Sequence, residues 1–289
     1  MSDFIKWDSQ SLSDWTQKYA KGKVIELDGH QTHYIEKGEG EPLILIHGFL
    51  YHSFMWQENI DELAKHYRVF AIDLWGCGYS TREPLDFGYQ LYSKQIKLFM
   101  QHLGLERAHF AGQSMGGGTA IQFTVENPDM AGKLILVNCA GMPNPQPFLA
   151  KVLNLPFIGE FAMSINTNNV RGDAIKDFFL YDKSLATRAY IDDVLWPQKI
   201  EGSIKAGLYI QRKDFFDKLS STIEQLATLN KQVLIVWGKQ DVPVSVKRGE
   251  QMQAMLKGSQ LLVLDKAGHV SNYEQAEQFN QAVVEFLGE

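Results

Sequence analysis

The 289-residue chain predicts an α/β fold, a mostly parallel, doubly wound sheet with an inserted helical cap. Three observations predict it. Short apolar runs, Pro42–His47, Arg68–Asp73, Lys133–Asn138 and Gln232–Trp237, read as strands buried on both faces. Stretches of helical spacing alternate with them, the rhythm of βαβ units. That rhythm breaks between about Gly141 and Leu229 and then returns. The expected division is therefore a core of residues 1–141 and 230–289 with a helical cap at 142–229.

Taken in order, Ser11–Ala20 suits a short helix with Trp15 and Tyr19 one turn apart, and Trp7 and Trp15 suggest an arm packed on the body. Val24–Leu27 and Thr32–Ile35 read as strands around an Asp28-Gly29 turn. Pro42–His47 follows, then a helix over Phe54–His66, the strand at Arg68 and a helix from Tyr89 to Leu103. His109–Ala111 ends a strand, and the residues after Gly116 favour helix up to Asn127-Pro128. The cap stretch is rich in aromatics, among them Phe157, Phe161, Phe178, Phe179, Tyr190 and Trp196, and is punctuated by Pro143, Pro145, Pro147, Pro156 and Pro197. A helix around Val246–Leu256, the strand Gln260–Asp265 and a helix over Tyr273–Leu287 close the chain.

Composition narrows the function. With 28 basic and 34 acidic residues the chain carries −6 with His neutral, and no basic run invites nucleic acid or anionic lipid. Cys77 and Cys139 form neither a metal spacing nor a disulfide framework. No signal-peptide pattern or membrane-length apolar run is present, so a cytoplasmic protein with a small-molecule substrate is expected; the oligomeric state is left open.

Gly112-Gln113-Ser114-Met115-Gly116 places a serine between glycines at a strand-to-helix turn, where a nucleophile is lifted clear of the sheet. A serine hydroxyl needs a base during attack. Histidine suits, because its ordinary pKa lets it accept the proton and return it. Asp241 and His269 follow later strands, and the chain order Ser114, Asp241, His269 is that of a triad on such a sheet. Asp241 also precedes Val242-Pro243, where a carboxylate can simply hold a turn. The backbone N–H groups of Phe49 and Met115 are the expected oxyanion hole. His47 and Asp73 are read as loop-bracing groups, and His52 and Trp75 as possible pocket walls. No metal or other cofactor is expected.

Taken together, His47-Gly48-Phe49, Asp73-x-x-Gly76-x-Gly78-x-Ser80, Gly112–Gly117, Gly238-x-x-Asp241 and Gly268-His269 resemble the α/β-hydrolase superfamily from about Pro42 onward. The resemblance implies a cap after the sixth strand. Serine at the elbow sets the chain apart from haloalkane dehalogenases and epoxide hydrolases, which use Asp there. It fits carboxylesterases, small lipases, perhydrolases and the carbon–carbon hydrolases of meta-cleavage pathways. The Ser-Met-Gly-Gly run is similar to the last group. That group has a glycine-rich stretch after the first His-Gly and a Trp after the catalytic His; here Phe49-Leu50-Tyr51 and Val270 stand in those places. The expectation is a carboxylesterase acting on short- to medium-chain esters, with Val270 beside the acyl chain. Carbon–carbon hydrolysis is the first alternative, and a ligand-binding receptor on a hydrolase fold is the second.

Overall fold

A computed structural model describes residues 5–145, 148–165 and 167–289. Met1–Phe4 and Pro147 lie outside the described residues. One eight-stranded sheet runs in the order β1-β2-β4-β3-β5-β6-β7-β8. Its strands are β1 (Lys23–Leu27), β2 (His30–Lys37), β3 (Pro42–Ile46), β4 (Arg68–Ile72), β5 (Ala108–Gln113), β6 (Ala131–Val137), β7 (Val233–Gly238) and β8 (Gln260–Leu264). β2 pairs antiparallel with β1 and β4; the pairs from β4 through β3 to β8 are parallel. The β1–β2 hairpin turns at Asp28 (φ 53°) and Gly29 (φ 79°), the doubly left-handed turn that Asp-Gly supplies.

The apolar runs divide by strand alternation between two cores. Ile44, Ile46, Phe70, Ile72, Phe110, Leu134 and Leu136 face one. Leu43, Leu45, Val69, Ala71, Ala111, Ile135 and Val137 face the other. Strands apolar at every position are what a sheet covered on both sides requires.

The helices are, in order, α1 (Leu12–Tyr19), α2 (Gln57–Leu63), α3 (Tyr89–His102), α4 (Met115–Glu126), α5 (Phe148–Leu153), α6 (Ile158–Ile165), α7 (Asn168–Phe179), α8 (Arg188–Leu195), α9 (Ser203–Arg212), α10 (Ser220–Thr228), α11 (Lys247–Met255), α12 (Ser271–Glu274) and α13 (Ala276–Gly288). α3, α4, α10 and α11 cover the first core, whereas α2 and α13 cover the second. α5 to α10 occupy the interval between β6 and β7.

Two predicted helices differ in detail. The one from Phe54 opens as a 3₁₀ turn, Ser53–Trp56, because Asp73 Oδ1 captures the Ser53 N–H at 2.6 Å. The terminal helix is broken at Gln275 (φ −126°, ψ 50°), leaving α12 as a separate turn after His269.

The amino-terminal arm docks on the segment between β6 and β7. Ser9 and Gln10 N–H donate to the Lys199 carbonyl at 2.8 and 2.9 Å, and Glu201 N–H donates to Gln10 at 2.8 Å. Trp15 Nε1 donates to the Trp196 carbonyl at 2.8 Å, while Tyr19 stacks on Trp196 at 5.0 Å. No helix among the described residues is long and apolar enough to cross a membrane.

Candidate active site

Ser114 joins β5 to α4 with φ 50° and ψ −115°, a strained conformation for a residue with a β-carbon. Its neighbours explain why the turn is written in glycine. A β-carbon on Gly112 would stand 2.3 Å from the Gly116 carbonyl oxygen, and one on Gly116 would stand 2.2 Å from that of Ile46. The Ser114 backbone is fixed on both sides: its N–H donates to Val137 O at 2.9 Å, and its carbonyl accepts from Gly118 and Ala140 N–H. Ser114 stays partly exposed, whereas nearly everything around it is buried.

Two further loops converge there. Gln113 Nε2 donates to the His269 carbonyl at 2.7 Å, tying the elbow to the loop after β8. A β-carbon on Gly48 would lie 3.2 Å from Ser114 Cβ, so the loop after β3 runs directly against the serine. The Met115 N–H is one of the first-turn donors of α4, without an intrahelical partner. Phe49 follows Gly48 in the loop that meets Ser114.

His269 Nδ1 lies 2.8 Å from Asp241 Oδ2, and both side chains are buried. A carboxylate only accepts, so Nδ1 carries a proton, and the tautomer this selects in a neutral ring is the one with its lone pair on Nε2. Asp241 is held from two directions: Asn138 Nδ2 donates to Oδ2 at 2.6 Å and Val244 N–H to Oδ1 at 2.9 Å. Asn138 (φ 43°) is positioned in turn by Ser271 Oγ, which donates to its Oδ1 at 2.5 Å. On the outer side Phe179, the last residue of α7, stacks on the His269 ring at 5.6 Å, and its carbonyl accepts the His269 N–H at 2.8 Å. Glu274 accepts from Gly268, Tyr181 and Asp182 N–H, fastening the histidine loop to the chain after α7.

His47 and Asp73 are bound into the loop framework. Burial pushes the His47 pKa down to about 4, so the ring is neutral; Nδ1 donates to Gly48 O and Nε2 accepts from Leu74 N–H. Asp73 is wholly buried. It accepts from Ser53 and Tyr79 N–H and pairs with His33 Nδ1 at 2.7 Å. Burial opposes its charge, but the charge and hydrogen bond of His33, and to a smaller extent His52 and His47, hold its pKa well below the usual carboxylate range. His33 also contacts the Lys21 carbonyl through Nε2 at 2.8 Å, so both ring nitrogens face acceptors. Burial depresses its pKa; the Asp73 charge and hydrogen bond outweigh this, and the net shift is upward.

A cavity of about 380 Å³ lies between the sheet edge and the inter-strand helices. Phe49, which follows the glycine packed against Ser114, and Phe179, which stacks on His269, are on its wall; Leu153, Ile175, Val194 and Leu208 supply much of its apolar lining. His52 is on its wall, with Nε2 3.0 Å from the Asp193 carbonyl oxygen and its pKa lowered by burial. The other two expected pocket residues are elsewhere. Trp75 turns toward the β1–β2 hairpin, donating from Nε1 to Thr32 Oγ1 at 2.8 Å and packing edge-on against His30. Val270 is fully buried in the core under α13. Cys77 does line the cavity, but burial pushes its thiol up to about 12, which leaves no thiolate at neutral pH. Asn138, Ser271 and the cavity residue Gln198 were not singled out as site groups from the sequence; only Asn138, at a strand end, carried a positional signal. Among the described residues no group of three or more His, Cys, Asp or Glu side chains could hold a metal.

A parallel sheet with a strained serine at a strand-to-helix turn, and an Asp–His pair at the ends of the next strands, defines the α/β-hydrolase class. The chain belongs to the α/β hydrolase fold family, whose model matches residues 41–276. It is 30% identical over 92% of its length to the dihydrolipoyllysine-residue acetyltransferase component of the acetoin cleaving system of Cupriavidus necator, covering 69% of that protein. It is 28% identical to a 2-hydroxy-6-oxononadienedioate/2-hydroxy-6-oxononatrienedioate hydrolase of Pseudomonas putida, over 94% of this chain and 96% of that one. Among solved structures, a meta-cleavage product hydrolase from Pseudomonas fluorescens superposes with a TM-score of 0.78 at 28% identity, over 92% of this chain and 97% of that one.

Proposed function

We propose that this hydrolase uses Ser114 as nucleophile, His269 as general acid–base and Asp241 as the group that orients His269, and that it cleaves a carbon–carbon bond next to a ketone in an oxo-dienoic acid. Phe49 and Met115 N–H groups hold the oxyanion, and residues 142–229 act as a cap on the core formed by 1–141 and 230–289. The observation that carries the reading is the His269–Asp241 pair, buried and braced beside a strained Ser114. Relatives that match almost end to end and are named for dienedioate hydrolysis support the substrate class.

This reverses the order expected from the sequence, for a physical reason. The ester preference leaned on apolar residues after His47 and His269, taken to face a neutral acyl chain. Val270 faces the core, and the cavity contains a buried arginine, Arg171. Carboxylic-ester hydrolysis stays as the second reading because most of the cavity wall is apolar.

In the proposed reaction a carbon leaves only as a stabilised anion. The dienol first tautomerises, its hydroxyl losing a proton as the carbon next to the ketone gains one, so that the leaving electrons delocalise into the oxo-acid. Ser114 Oγ then adds to the ketone carbon and its proton passes to His269; the carbonyl electrons move to an oxygen held by the two N–H groups. Collapse breaks the carbon–carbon bond, its electron pair leaves as the dienolate, and the proton on His269 passes to that leaving group, which departs as the dienol. Water, activated by His269, then frees the carboxylic acid from Ser114. With a ring-fission dienoate and a short-chain nitrophenyl ester compared on one purified sample, kcat/KM should favour the dienoate. A clear preference for the ester restores the carboxylesterase reading.

A further inference from the structure

α7 ends at Phe179, and there the segment between β6 and β7 meets the loop that carries His269. The Phe179 ring lines the cavity and stacks on His269, and its carbonyl accepts the His269 N–H at 2.8 Å. Leu180 then leaves the helix in an extended conformation, with φ −108° and ψ 136°. The next two N–H groups, those of Tyr181 and Asp182, donate to Glu274 Oε1 at 2.7 and 2.9 Å. The other oxygen, Oε2, accepts the Gly268 N–H at 2.6 Å. One carboxylate is thus divided between the residue before His269 and two residues that stand 93 and 92 positions from it in the chain.

That arrangement exceeds what a loop brace requires. Bracing the turn after His269 needs only the Gly268 bond, whereas two of the three donors come from the other segment. Hydrogen bonds to a charged acceptor are the strong ones, so the link is firm. Packing leaves it no slack: a β-carbon on Gly268 would stand 2.7 Å from the Phe179 carbonyl oxygen and 2.9 Å from the Tyr181 nitrogen. Tyr273, beside Glu274, adds a parallel tie. Its hydroxyl donates to the Leu185 carbonyl at 3.2 Å, and its ring stacks on Tyr190 at 4.6 Å. A shift of residues 179–182 would remove the acceptor of the His269 N–H and two of the three donors on Glu274 together.

We propose that Glu274 is a positioning residue that makes His269 depend on the cap. While Tyr181 and Asp182 are seated on it, the loop from Gly268 holds the imidazole directed at Ser114; when they leave, that alignment is lost. Chemistry is then confined to molecules whose cap is seated at this end. The proposal rests on the reading above in taking Ser114 and His269 as the reacting pair.

Nitrophenyl acetate tests it on purified, folded protein, because its small acyl group draws on His269 while asking little of the cavity wall. Glu274→Ala should lower kcat on the order of 10- to 100-fold, the scale at which slight misplacement of a reacting group acts, with KM little changed. Glu274→Gln keeps an oxygen for Tyr181 and Asp182 but turns an amide NH₂ toward Gly268, so its kcat should fall between the wild type and Glu274→Ala. From the cap side, Tyr181→Pro removes one N–H donor where Leu180 is already extended, as proline prefers of the residue before it. It should lower kcat in the same way, by a smaller factor. A rise in KM alone, or an unchanged kcat in Glu274→Ala, overturns the positioning role. A kcat loss in Glu274→Ala with full activity in Tyr181→Pro overturns the coupling, since Glu274 then braces only its own loop. If Glu274→Ala lacks a melting transition, Glu274→Gln and Tyr181→Pro decide. If the wild type neither cleaves the ester nor takes a phosphonate on Ser114, the hydrolase reading is at fault, and amide exchange tests the link by itself. Faster exchange at Gly268 and His269 in Tyr181→Pro upholds it, whereas unchanged exchange there overturns it.

Discussion

The sheet edge that presents Ser114 and the helical segment that walls the cavity are held by different means. At the edge, backbone meets backbone: glycine approaches of 2.0 to 2.3 Å to a notional β-carbon, strand-end residues with positive φ, and a carboxylate bonded from two directions. In the helical segment, side chains do most of the fastening. Trp7 lies under two cations, Glu274 gathers three N–H groups, and Phe157, Phe161 and Ile165 remain exposed at 84%, 66% and 61%. A group that must stay within tenths of an ångström of a reacting atom is built on the rigid part. A wall that has to admit and release a substrate is built on the part with fewer backbone ties.

Four substitutions test that contrast, from the largest effect to the smallest. Ser114→Ala should remove turnover by about 10⁶-fold, the scale at which loss of a serine nucleophile acts, with an unchanged melting transition and no labelling by a phosphonate. Asp241→Asn should cost about 10⁴-fold by favouring the wrong His269 tautomer. Near-normal kinetics in either variant would remove that residue from the machinery and leave the edge as mere scaffold.

Trp7→Ala attacks the other region. Truncating a buried tryptophan costs about 3–5 kcal/mol, and here it also strips the ring from Arg171 and Lys199. Amide exchange should accelerate across residues 158–204 while the strand ends near Ser114 stay protected. Uniform acceleration across the chain would show that the two regions do not open separately.

The smallest effect concerns the His33–Asp73 pair, which holds the loop from Asp73 to Arg82 against the hairpin. A histidine whose folded pKa is raised adds stability that is complete below its unfolded value of about 6.5, and this is lost as pH climbs through the folded value. Asp73, with its folded pKa depressed, adds stability that is present above about pH 4 and lost only in strong acid. Urea unfolding should therefore show the gap between wild type and His33→Gln widest at about pH 5–6 and narrowing toward pH 9. A gap that is constant with pH would mean the imidazole acts by packing alone.

The edge was legible in the sequence because its requirements are local. Gly112, Ser114 and Gly116 must lie within one turn of chain, and Asp241 and His269 each follow their own apolar strand. Much of the segment between β6 and β7 was not legible. Val270 is next to a candidate base in sequence, yet the short turn of α12 swings it into the core. Trp75 follows a strand end, but its indole finds Thr32 on β2, a choice made by the hairpin's position. Arg171 looked like any helical arginine. Its burial depends on Trp7, Met163 and Gln198 arriving from three separate segments.

Those same arm contacts span about two-thirds of the chain. Ile5 bonds Lys199 across 194 residues and Asp8 bonds Ile204 across 196. At ribosomal speeds of 5–20 residues per second, about 10 to 40 s pass between synthesis of the arm and synthesis of its partners. The arm is therefore made well before the residues that seat it. Until it seats, the ring beneath Arg171 is missing, and the cavity's far wall is finished only when residues near 200 have emerged. Truncated or stalled chains would carry the complete elbow at Ser114 without that wall.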